Sequence, residues 1–275
     1  MNTYYGGSQR RKPKKNPTTG KTLLTIFILA LLSAAVIVGA LIASGFRVVV
    51  QENGAGEEVK FFGMTDRGVP QKGMLFYPDG VRANLDASKK TVKFKDGAIY
   101  TGDIKDLLRD GTGKMVYSNG DVYEGEFSAD MLSGSGTFTY KSGDSYVGDY
   151  ENGKKSGIGT YTWADGSSYT GSFENDLRHG RGRQIYKDKK SYYEGDFSNG
   201  LKSGHGVLVL ASGDSYEGEF KNDMKNGNGK YAWANGDVYE GEFVDDVLCG
   251  QGTFTWASGK FYTGEFKDGK IVSQE

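Results

Sequence analysis

Cysteine, histidine and tryptophan are scarce in this 275-residue chain, and each shortage excludes a class of structure or function. Cys249 is the only cysteine, so the chain has no intramolecular disulfide and no cysteine-based metal cluster. His179 and His205 are the only histidines, and their spacing makes a weak metal site. We interpret all three residues as structural, with a reactive thiol or an intermolecular disulfide as the alternative for Cys249. No Ser, His and Asp arrangement typical of nucleophilic catalysis is readable.

Proline and complete nucleotide-binding motifs are also missing from most of the chain. No proline follows Pro78, as expected where backbone amides donate to neighbouring strands. Gly20-Lys21-Thr22 imitates the end of a phosphate-binding loop, but no strand precedes it. The many Gly-x-Gly triplets lack the third glycine and the helix of a dinucleotide site. We therefore predict no catalytic residues, no cofactor and no metal ion, and we expect the protein not to be an enzyme.

Charge is distributed unevenly, although the formal net charge is only −1. Residues 1–21 carry six Lys or Arg and no acid, which leaves 28 basic and 35 acidic residues in the remainder. Nucleic acids and anionic lipids both need clustered positive charge. The acidic body therefore predicts no nucleic-acid partner and speaks against direct binding of lipid headgroups. Residues 1–21, which are basic and otherwise polar, are predicted to be a disordered arm.

One long hydrophobic run extends over residues 22–46, without a charge. About 20 helical residues suffice to cross the hydrocarbon of a bilayer, so the run predicts a transmembrane helix. A cleaved signal peptide, with Ala43-Ser44-Gly45 as the cleavage site, and a buried soluble helix are the alternatives, and both fit the run less well. Because the basic residues precede the run, we expect a single-pass membrane protein with a cytoplasmic N-terminus and its repeats outside the cytoplasm.

A five-residue pattern recurs through most of the chain: an aromatic residue, any residue, glycine, usually an acid, and another aromatic residue. Its copies begin at Tyr100, Tyr123, Tyr146, Tyr169, Tyr193, Tyr216, Tyr239 and Tyr262. The step is 23 residues everywhere except for one step of 24, so the chain contains an internal repeat. The structural positions of two clear copies are Tyr123, Gly125, Phe127, Tyr216, Gly218 and Phe220.

A second signature, Gly-x-Gly-x-aromatic-x-aromatic, follows in each complete copy, as in the segment from Gly134 to Tyr140. Turn pairs such as Asn119-Gly120 precede the next start, and Asn-Gly is a strong hairpin signal. Each repeat is therefore predicted to contain two strands and two turns. Because side chains alternate along a strand, the aromatic residues and glycines, Gly134 included, should share one face, with rings lying over bare glycine backbone.

The 23-residue period, with Tyr-x-Gly-x-aromatic followed by Gly-x-Gly, resembles the MORN repeat family. The resemblance implies an all-β fold, and we expect an elongated, single-layer antiparallel sheet of stacked hairpins over residues 91–275, preceded by one transmembrane helix. The copy from Tyr169 to Phe173 departs from the family pattern because it lacks the acid. Enzymes with MORN repeats carry a separate catalytic domain, and we expect none here because no stretch outside the repeats is long enough.

The segments around the regular repeats are expected to be irregular. Residues 47–60 are interpreted as a linker, and residues 61–90 as a degenerate capping repeat. In the fourth copy, Gln184 replaces an aromatic residue, and one extra residue follows Tyr186 where no turn glycine is present. That insertion predicts a bulge or a longer turn.

The most regular polar feature is a column of acids, which we interpret either as a solvated face or as a surface for basic groups or divalent cations. It comprises Asp103, Glu126, Asp149, Asp196, Glu219, Glu242 and Glu265. Divalent cations prefer several oxygens that converge on one point, and a column spaces its oxygens without convergence.

These observations predict a membrane-anchored, non-catalytic scaffold or interaction protein. Its array would bind a protein partner or another copy of itself. The alternative is a carbohydrate or cell-wall ligand-binding module, because short aromatic-glycine hairpins also build wall-binding repeats. Sugar sites rely on tryptophan faces, and we place all three tryptophans, Trp163, Trp233 and Trp256, on the packed second strands.

Overall fold

A computed structural model describes residues 18–272, which form one α-helix, a short 3-10 helix at Ala87–Lys89 and a single sheet of 21 strands. Residues 1–17 of the predicted disordered arm lie outside the described residues. The helix, α1, spans Thr18–Ala43. The strands are β1 Phe46–Glu52, β2 Glu58–Asp66, β3 Val69–Phe76, β4 Arg82–Asp86, β5 Thr91–Phe94, β6 Ile99–Lys105, β7 Leu108–Val116, β8 Val122–Ser128, β9 Met131–Thr139, β10 Ser145–Glu151, β11 Lys154–Thr162, β12 Ser168–Glu174, β13 Leu177–Ile185, β14 Tyr192–Ser198, β15 Leu201–Val209, β16 Ser215–Lys221, β17 Met224–Ala232, β18 Val238–Val244, β19 Val247–Thr255, β20 Phe261–Lys267 and β21 Lys270–Ile271.

The helix is displaced toward the N-terminus relative to the predicted span of residues 22–46. Within α1, the segment Thr25–Ala43 is long enough and apolar enough to cross a bilayer, and none of it is buried in the described chain. Gly45, with a φ of +93°, follows the helix, and Phe46 opens β1. Hydrophobicity alone does not mark the end of a helix, and the β-branched residues that follow favour a strand.

The predicted linker over residues 47–60 is instead a hairpin. β1 pairs with the first part of β2 in continuous antiparallel register. The turn between them is held by Asn53, whose side-chain oxygen accepts hydrogen bonds from the backbone N–H groups of Ala55 and Glu57 at 3.0 and 2.9 Å. Glycine-rich composition indicates a tight turn as readily as a linker, so only the pairing of the flanking segments distinguishes the two.

The sheet is a meander. Each strand pairs in antiparallel fashion with the strand before it and the strand after it, from β1 through β21. The predicted all-β fold of stacked hairpins in one antiparallel layer is confirmed. The sheet has two different faces, which we call the inner face and the outer face. Tyr123 and Phe127 are buried on the inner face, while Glu124 and Glu126 are exposed on the outer face.

Paired glycines make room for the tyrosine rings of the inner face. Gly125 lies opposite Gly136 on the adjacent strand, and the side chain of Tyr123 covers both. A Cβ atom on Gly125 would lie 2.5 Å from the Gly136 Cα and 2.6 Å from the Tyr123 hydroxyl. Gly218 stands in the same relation to Gly229, with 2.5 Å to its Cα. Any side chain at these positions would displace the backbone or the ring.

Gly134 is not paired where simple alternation places it. Gly125 pairs with Gly136, but Glu126 then pairs with Ser133, so Gly134 and the residue after it form a β-bulge. Gly134 has a φ of +55°, which glycine adopts readily. Alternation assumes a regular ladder, and the bulge interrupts that ladder in the middle of each complete unit.

Along the repeats the core is a row of aromatic rings, which buried aliphatic side chains such as Leu75 and Leu85 continue toward the N-terminus. Phe127 stands edge-on to Tyr123 of its own unit, 5.1 Å between centroids, and to Tyr100 of the preceding unit, 5.0 Å. The second aromatic position repeats this arrangement in the later units, at Tyr150, Phe173, Phe197, Phe220, Phe243 and Phe266. Edge-to-face pairs contribute about 0.5–1.5 kcal/mol beyond the burial of their area. Each unit is therefore stabilised mainly by its neighbours.

The predicted capping segment, residues 61–90, begins with a unit that keeps part of the pattern. Phe61 is buried where the regular units have tyrosine, and Gly63 pairs with Gly73 as the repeat glycines do. In the next unit, β4 and β5, Ala83 and Leu85 lie in register with the repeat tyrosine and glycine positions.

The extra residue of the fourth unit lengthens the turn between β13 and β14. The two strands pair without a shift in register, so of the predicted bulge and longer turn the longer turn is observed. The Asp188 carboxylate accepts hydrogen bonds from the N–H groups of Lys190 and Ser191 at 2.8 and 2.6 Å. Lys189 takes a positive φ of 61° in place of the usual turn glycine.

Candidate interaction surfaces

The acid column lies on the outer face, and most of its carboxylates bond to the β-bulges. The Glu126 carboxylate accepts a hydrogen bond from the backbone N–H of Ser135, 3.2 Å away, directly after the bulge glycine. The other acids that do the same, at 2.9–3.3 Å, are Asp103, Asp149, Asp196, Glu219 and Glu242. A hydrogen bond to a charged acceptor is stronger than a neutral one, so these acids stabilise the bulge.

Two units differ from this arrangement. Glu265 is in the last unit, whose second strand, β21, has only two residues. In the fourth unit, Ser172 replaces the acid, and its Cβ and Oγ lie 3.5 Å from the place where a Cβ on Gly180 would be. The bulge itself persists there, since the pairing of β12 with β13 shifts after Gly171. The acid therefore supports the bulge but is not required to form it.

The column also remains accessible to solvent. The side chains of Asp103 and Asp196 are each 44% exposed. The pKa of the Asp103 carboxyl is lowered, first by the hydrogen bond from Lys90 and then by those from Thr112. Within residues 18–272, no three His, Cys, Asp or Glu side chains are placed to hold a metal ion. The column is a negatively charged surface whose carboxylates stay separate.

A row of cations crosses the inner face. Lys155 lies with its Nζ 5.7 Å from the ring centre of Tyr146 and 5.0 Å from that of Tyr161. The equivalent side chains, whose charged groups lie 5.0–5.8 Å from two ring centres each, are Arg109, Arg178, Lys202 and Lys225. These five residues are the cation row. Cations within about 6 Å of a ring face are attracted by its quadrupole.

The cation row is tied to the next unit by aspartates in tight turns. The Asp176 side chain accepts a hydrogen bond from the Lys155 backbone N–H at 2.9 Å, and its own N–H donates to the Lys155 carbonyl. The same pair of bonds joins Arg109 to Asp130, Lys202 to Asp223 and Lys225 to Asp246. These contacts connect one unit to the next along the row.

Burial lowers the pKa of two of these lysines. Desolvation by the surrounding rings lowers the pKa of Lys155 and of Lys202, although the carboxylate of the turn aspartate opposes the shift in each. A partly desolvated ammonium group binds an acidic ligand more strongly than one in bulk water, because the local dielectric constant is lower. At two positions the chain itself supplies the carboxylate, because Arg109 pairs with Asp130 and Lys225 pairs with Asp246, both at 2.8 Å. Lys155, Arg178 and Lys202 are then the cations of the row that are left for a carboxylate or similar anionic group of a ligand.

A second row, the aromatic rim, runs parallel to the cation row. Its members directly follow the second strand of each unit, and all but one are aromatic: Tyr117, Tyr140, Trp163, Tyr186, Leu210, Trp233 and Trp256. The rim rings contact aromatic rings of neighbouring units, as in Tyr117 with Phe138 at 5.7 Å. The three tryptophans thus lie one residue beyond the strands on which we placed them. Trp256 is 38% exposed.

We call the strip between the two rows the groove. It contains a cavity of about 400 Å³ at the junction of the third and fourth units. Lys155, Arg178, Trp163, Asp176 and Phe173 line this cavity. Arg178 is oriented by a hydrogen bond to the side-chain oxygen of Gln184. The cavity combines two cations, the Asp176 carboxylate and aromatic rings, so it suits a ligand with both polar and apolar groups.

The two histidines and the single cysteine take structural positions. His179 lies 3.4 Å from Glu174 at the surface, and the backbone N–H of His205 donates to Asp196. Burial, followed by the nearby Glu242 carboxylate, raises the pKa of the Cys249 thiol. A raised pKa keeps the thiol protonated and therefore less nucleophilic.

Sequence reasoning did not identify the cation row. The signal was a Lys or Arg at the repeat interval, seen at Arg109, Lys155, Arg178, Lys202 and Lys225. Leu132 and Leu248 occupy the same position in two units and interrupt that signal. Only the packing shows that these side chains lie on the inner face with the rings.

Comparison with known families gives one match. The family model of the MORN repeat matches residues 100–122, 123–145, 146–168, 169–191, 193–215, 216–238, 239–261 and 262–273. These eight consecutive matches cover more than half of the chain and use the repeat boundaries read from the tyrosines. No curated protein matches this chain.

Two solved structures from Drosophila melanogaster are similar in part. The TCP domain of SAS-4 (dCPAP), in complex with a proline-rich motif of Ana2 (dSTIL), is 14% identical, with 64% of this chain and 92% of that chain covered and a TM-score of 0.34. The TCP10c domain of Sas-4 is 10% identical, with 80% of this chain and 100% of that chain covered and a TM-score of 0.24. Scores this low support no inference about function.

Proposed function

Because this chain belongs to the MORN repeat family, we propose that it is a membrane-anchored interaction protein whose repeat array binds another protein and catalyses no reaction. The groove carries this proposal. It places partly desolvated cations opposite aromatic rings along consecutive units. It therefore offers the same contact several times to an extended segment with acidic and apolar side chains. Catalysis needs a unique convergence of reactive groups, and a repeated surface disperses them.

The proposed anchor is α1. Its segment Thr25–Ala43 has a mean hydropathy of 2.9, and its side chains are exposed in the described chain. Exposed apolar side chains on such a helix are stable in hydrocarbon and costly in water. The basic arm before the helix supports a cytoplasmic N-terminus, with the array on the other side of the membrane.

The acid column is a second proposed contact, for basic groups of a partner or of another copy. Its support is the exposure of carboxylates such as Asp103 and Asp196. Because six of the seven acids already accept a bulge N–H, replacing them changes stability as well as charge. The groove is therefore the cleaner surface to test.

The experiment is affinity capture from membranes with the full chain and two variants. The array itself supplies the substitution, because Leu132 and Leu248 occupy the cation position in two units. The test variant combines Lys155→Leu, Lys202→Leu and Lys225→Leu, and removes charge from the groove. The matched control is Lys230→Leu, five residues beyond Lys225 on β17 but exposed on the outer face. Melting temperatures show whether each variant is folded.

We expect the intact chain and Lys230→Leu to capture the same protein, and the triple variant to lose it while remaining folded. Equal capture by all three would show that the groove is not the binding surface. Capture lost only when acids of the column are replaced would assign binding to the outer face instead.

The alternative function, carbohydrate or cell-wall binding, gains support from the aromatic rim. Trp163, Trp233 and Trp256 all belong to this rim, and Trp256 is exposed. The test is binding of purified wall polymer by the double variant Trp233→Ala with Trp256→Ala and by the triple lysine variant. Binding that the double variant loses and the triple lysine variant keeps would replace the protein-binding proposal with carbohydrate binding.

A further inference from the structure

The outer face of β1, β2 and β3 is unlike the outer face of the repeats, because it is apolar. Its exposed side chains, which are 38–68% accessible, are Val48, Val50, Phe62, Met64 and Met74. Val48 pairs with Phe62, which pairs with Met74, so these side chains are neighbours across three strands. Phe46 adds to this apolar patch through a ring contact with Phe62 at 5.9 Å.

The patch is directly connected to the end of α1. Only Ser44 and Gly45 separate the helix from β1. The Gly45 carbonyl accepts hydrogen bonds from the backbone N–H and the hydroxyl of Thr65, both at 2.9 Å. Arg47 donates to the Ile42 carbonyl at 2.6 Å. These bonds hold the last turn of the helix against β1 and β2, so the patch cannot move far from the helix end.

Charge separates this segment from the array. Residues 46–95 contain nine Lys or Arg and six acids, whereas residues 96–275 contain 19 Lys or Arg and 29 acids. Basic side chains border the patch on the same face: Lys60 pairs with Val50, and Lys72 pairs with Met64. Each also lies near an acid, with Lys60 Nζ 3.2 Å from Glu58 and Lys72 Nζ 4.0 Å from Asp86, and both lysine side chains are more than half exposed. Lys93 pairs with Asn84, which itself pairs with Met74. Residues 46–76, which contain β1 to β3, carry four Lys or Arg and four acids, so these strands are neutral and lack the net negative charge of the array.

An apolar patch bordered by lysines matches the surface of an anionic bilayer, where apolar side chains enter the interface and ammonium groups meet phosphates. Strands lie about 4.8 Å apart, so β3 is only about 10 Å from β1, the strand that follows the end of the proposed anchor. The occupant with the right chemistry is thus already adjacent to the patch.

We propose that the outer face of β1 to β3 docks on the phospholipid surface, with Val48, Phe62 and Met74 in the interface and Lys60, Lys72 and Lys93 facing lipid phosphates. This docking rests on the proposal that α1 spans the membrane. It gives the first strands a fixed orientation on the bilayer and lets the array extend from them with its groove accessible.

The test uses the full chain with Cys249→Ser in vesicles of phosphatidylcholine and phosphatidylglycerol. Single cysteines are introduced as Val48→Cys or Met74→Cys in the patch, and as Val147→Cys on the outer face of the array, where Val147 is also exposed. Each is labelled with an environment-sensitive fluorophore and exposed to lipids that carry a nitroxide near the headgroup. A fourth variant, Ala35→Cys, reports on the helix with a nitroxide deep in the acyl chain.

We expect blue-shifted emission and strong quenching at positions 48 and 74, and neither at position 147. Lys60→Glu with Lys72→Glu and Lys93→Glu should reduce quenching at both patch positions. Quenching at position 35 without any at 48 and 74 would overturn the docking and leave the anchor intact. An unquenched position 35 would overturn the anchor and the docking together. A patch label that is shielded from water but unquenched by lipid, and that changes with protein density, would assign the patch to a second copy of the chain and overturn docking.

Discussion

The ring of Phe127 stands edge-on to the ring of Tyr100, 5.0 Å away and at 79°, although the two residues belong to successive repeats. The same contact recurs along the array and joins every unit to the one before it. It explains how a single-layer sheet stays folded without a second layer, since each hairpin supplies one ring to its neighbour and receives one in return.

The paired glycines give the first prediction. Gly125→Val would place side-chain atoms 2.5 Å from a backbone atom, so we expect a loss of roughly 1–3 kcal/mol in the free energy of unfolding from overpacking. Gly259→Ala is the control, because that glycine has a φ of +85° but nothing within 4 Å of an added Cβ. Its cost should be limited to backbone strain. Both variants are compared by denaturant melts. A larger loss in the free energy of unfolding for Gly259→Ala than for Gly125→Val would contradict our account of the inner face.

The unit without an acid gives the second prediction. Ser172→Asp should supply the carboxylate that Asp149 and Asp196 provide in nearby units, and it should raise the free energy of unfolding by about 0.5–1.5 kcal/mol. The reverse change, Glu219→Ala, should lower it by a similar amount through loss of the 2.9 Å bond from Asn228. Thermal melts at low and high salt would distinguish a local hydrogen bond from general charge repulsion, which salt screens.

Alkaline pH gives the third prediction. Burial, and then the nearby Glu219 carboxylate, raise the pKa of Tyr216 to about 12. Because tyrosine in an unfolded chain titrates near pH 10, the folded state is fully stabilised below about pH 10 and loses that stability as the pH rises toward 12. Tyrosinate absorbance and unfolding should therefore appear together in this range.

A matched variant tests the sign of this effect. Tyr216→Phe removes the hydrogen bond to the Glu219 carbonyl and should cost about 1 kcal/mol at neutral pH. The deficit should shrink above pH 10, because the variant has one fewer buried hydroxyl to ionise. A deficit that stays constant to pH 12 would show that Tyr216 titrates normally.

The turn between β13 and β14 gives the fourth prediction. It has an inserted residue and a non-glycine at positive φ, so we expect faster hydrogen exchange there than in the strands on either side. Lys189→Gly should relieve the strained backbone and stabilise the turn. Exchange in this turn as slow as in the flanking strands would rule out a local weak point.

Membrane topology gives the fifth prediction. We expect α1 to remain attached in the mature protein, with the array outside the cytoplasm. Protease added to cells stripped of any outer layer should then cut the array without lysis. An array that is cut only after lysis would place it in the cytoplasm and reverse the proposed orientation.

The sequence alone determined the repeat, its boundaries and the family. A side-chain period of two residues within a unit and a period of 23 between units are one-dimensional signals, and they require no knowledge of packing. The hairpins, the antiparallel layer and the aromatic row of tyrosine and phenylalanine follow from them. The apolar segment that forms most of α1 follows from composition, because residues 22–46 carry no charge.

Only the tertiary structure decided what the polar residues do. A bulge brings Glu126 to the N–H of Ser135, and alternation cannot predict a bulge because it assumes an unbroken ladder. Lys155 lies over rings and bonds to Asp176 of the next unit, and that contact depends on the stacking of units. Residues 47–60 have the glycine-rich composition of a linker, and only the pairing of β1 with β2 shows that they form a hairpin. In each case the deciding interaction joins residues that are separated in sequence, and the register of the sheet alone brings them together.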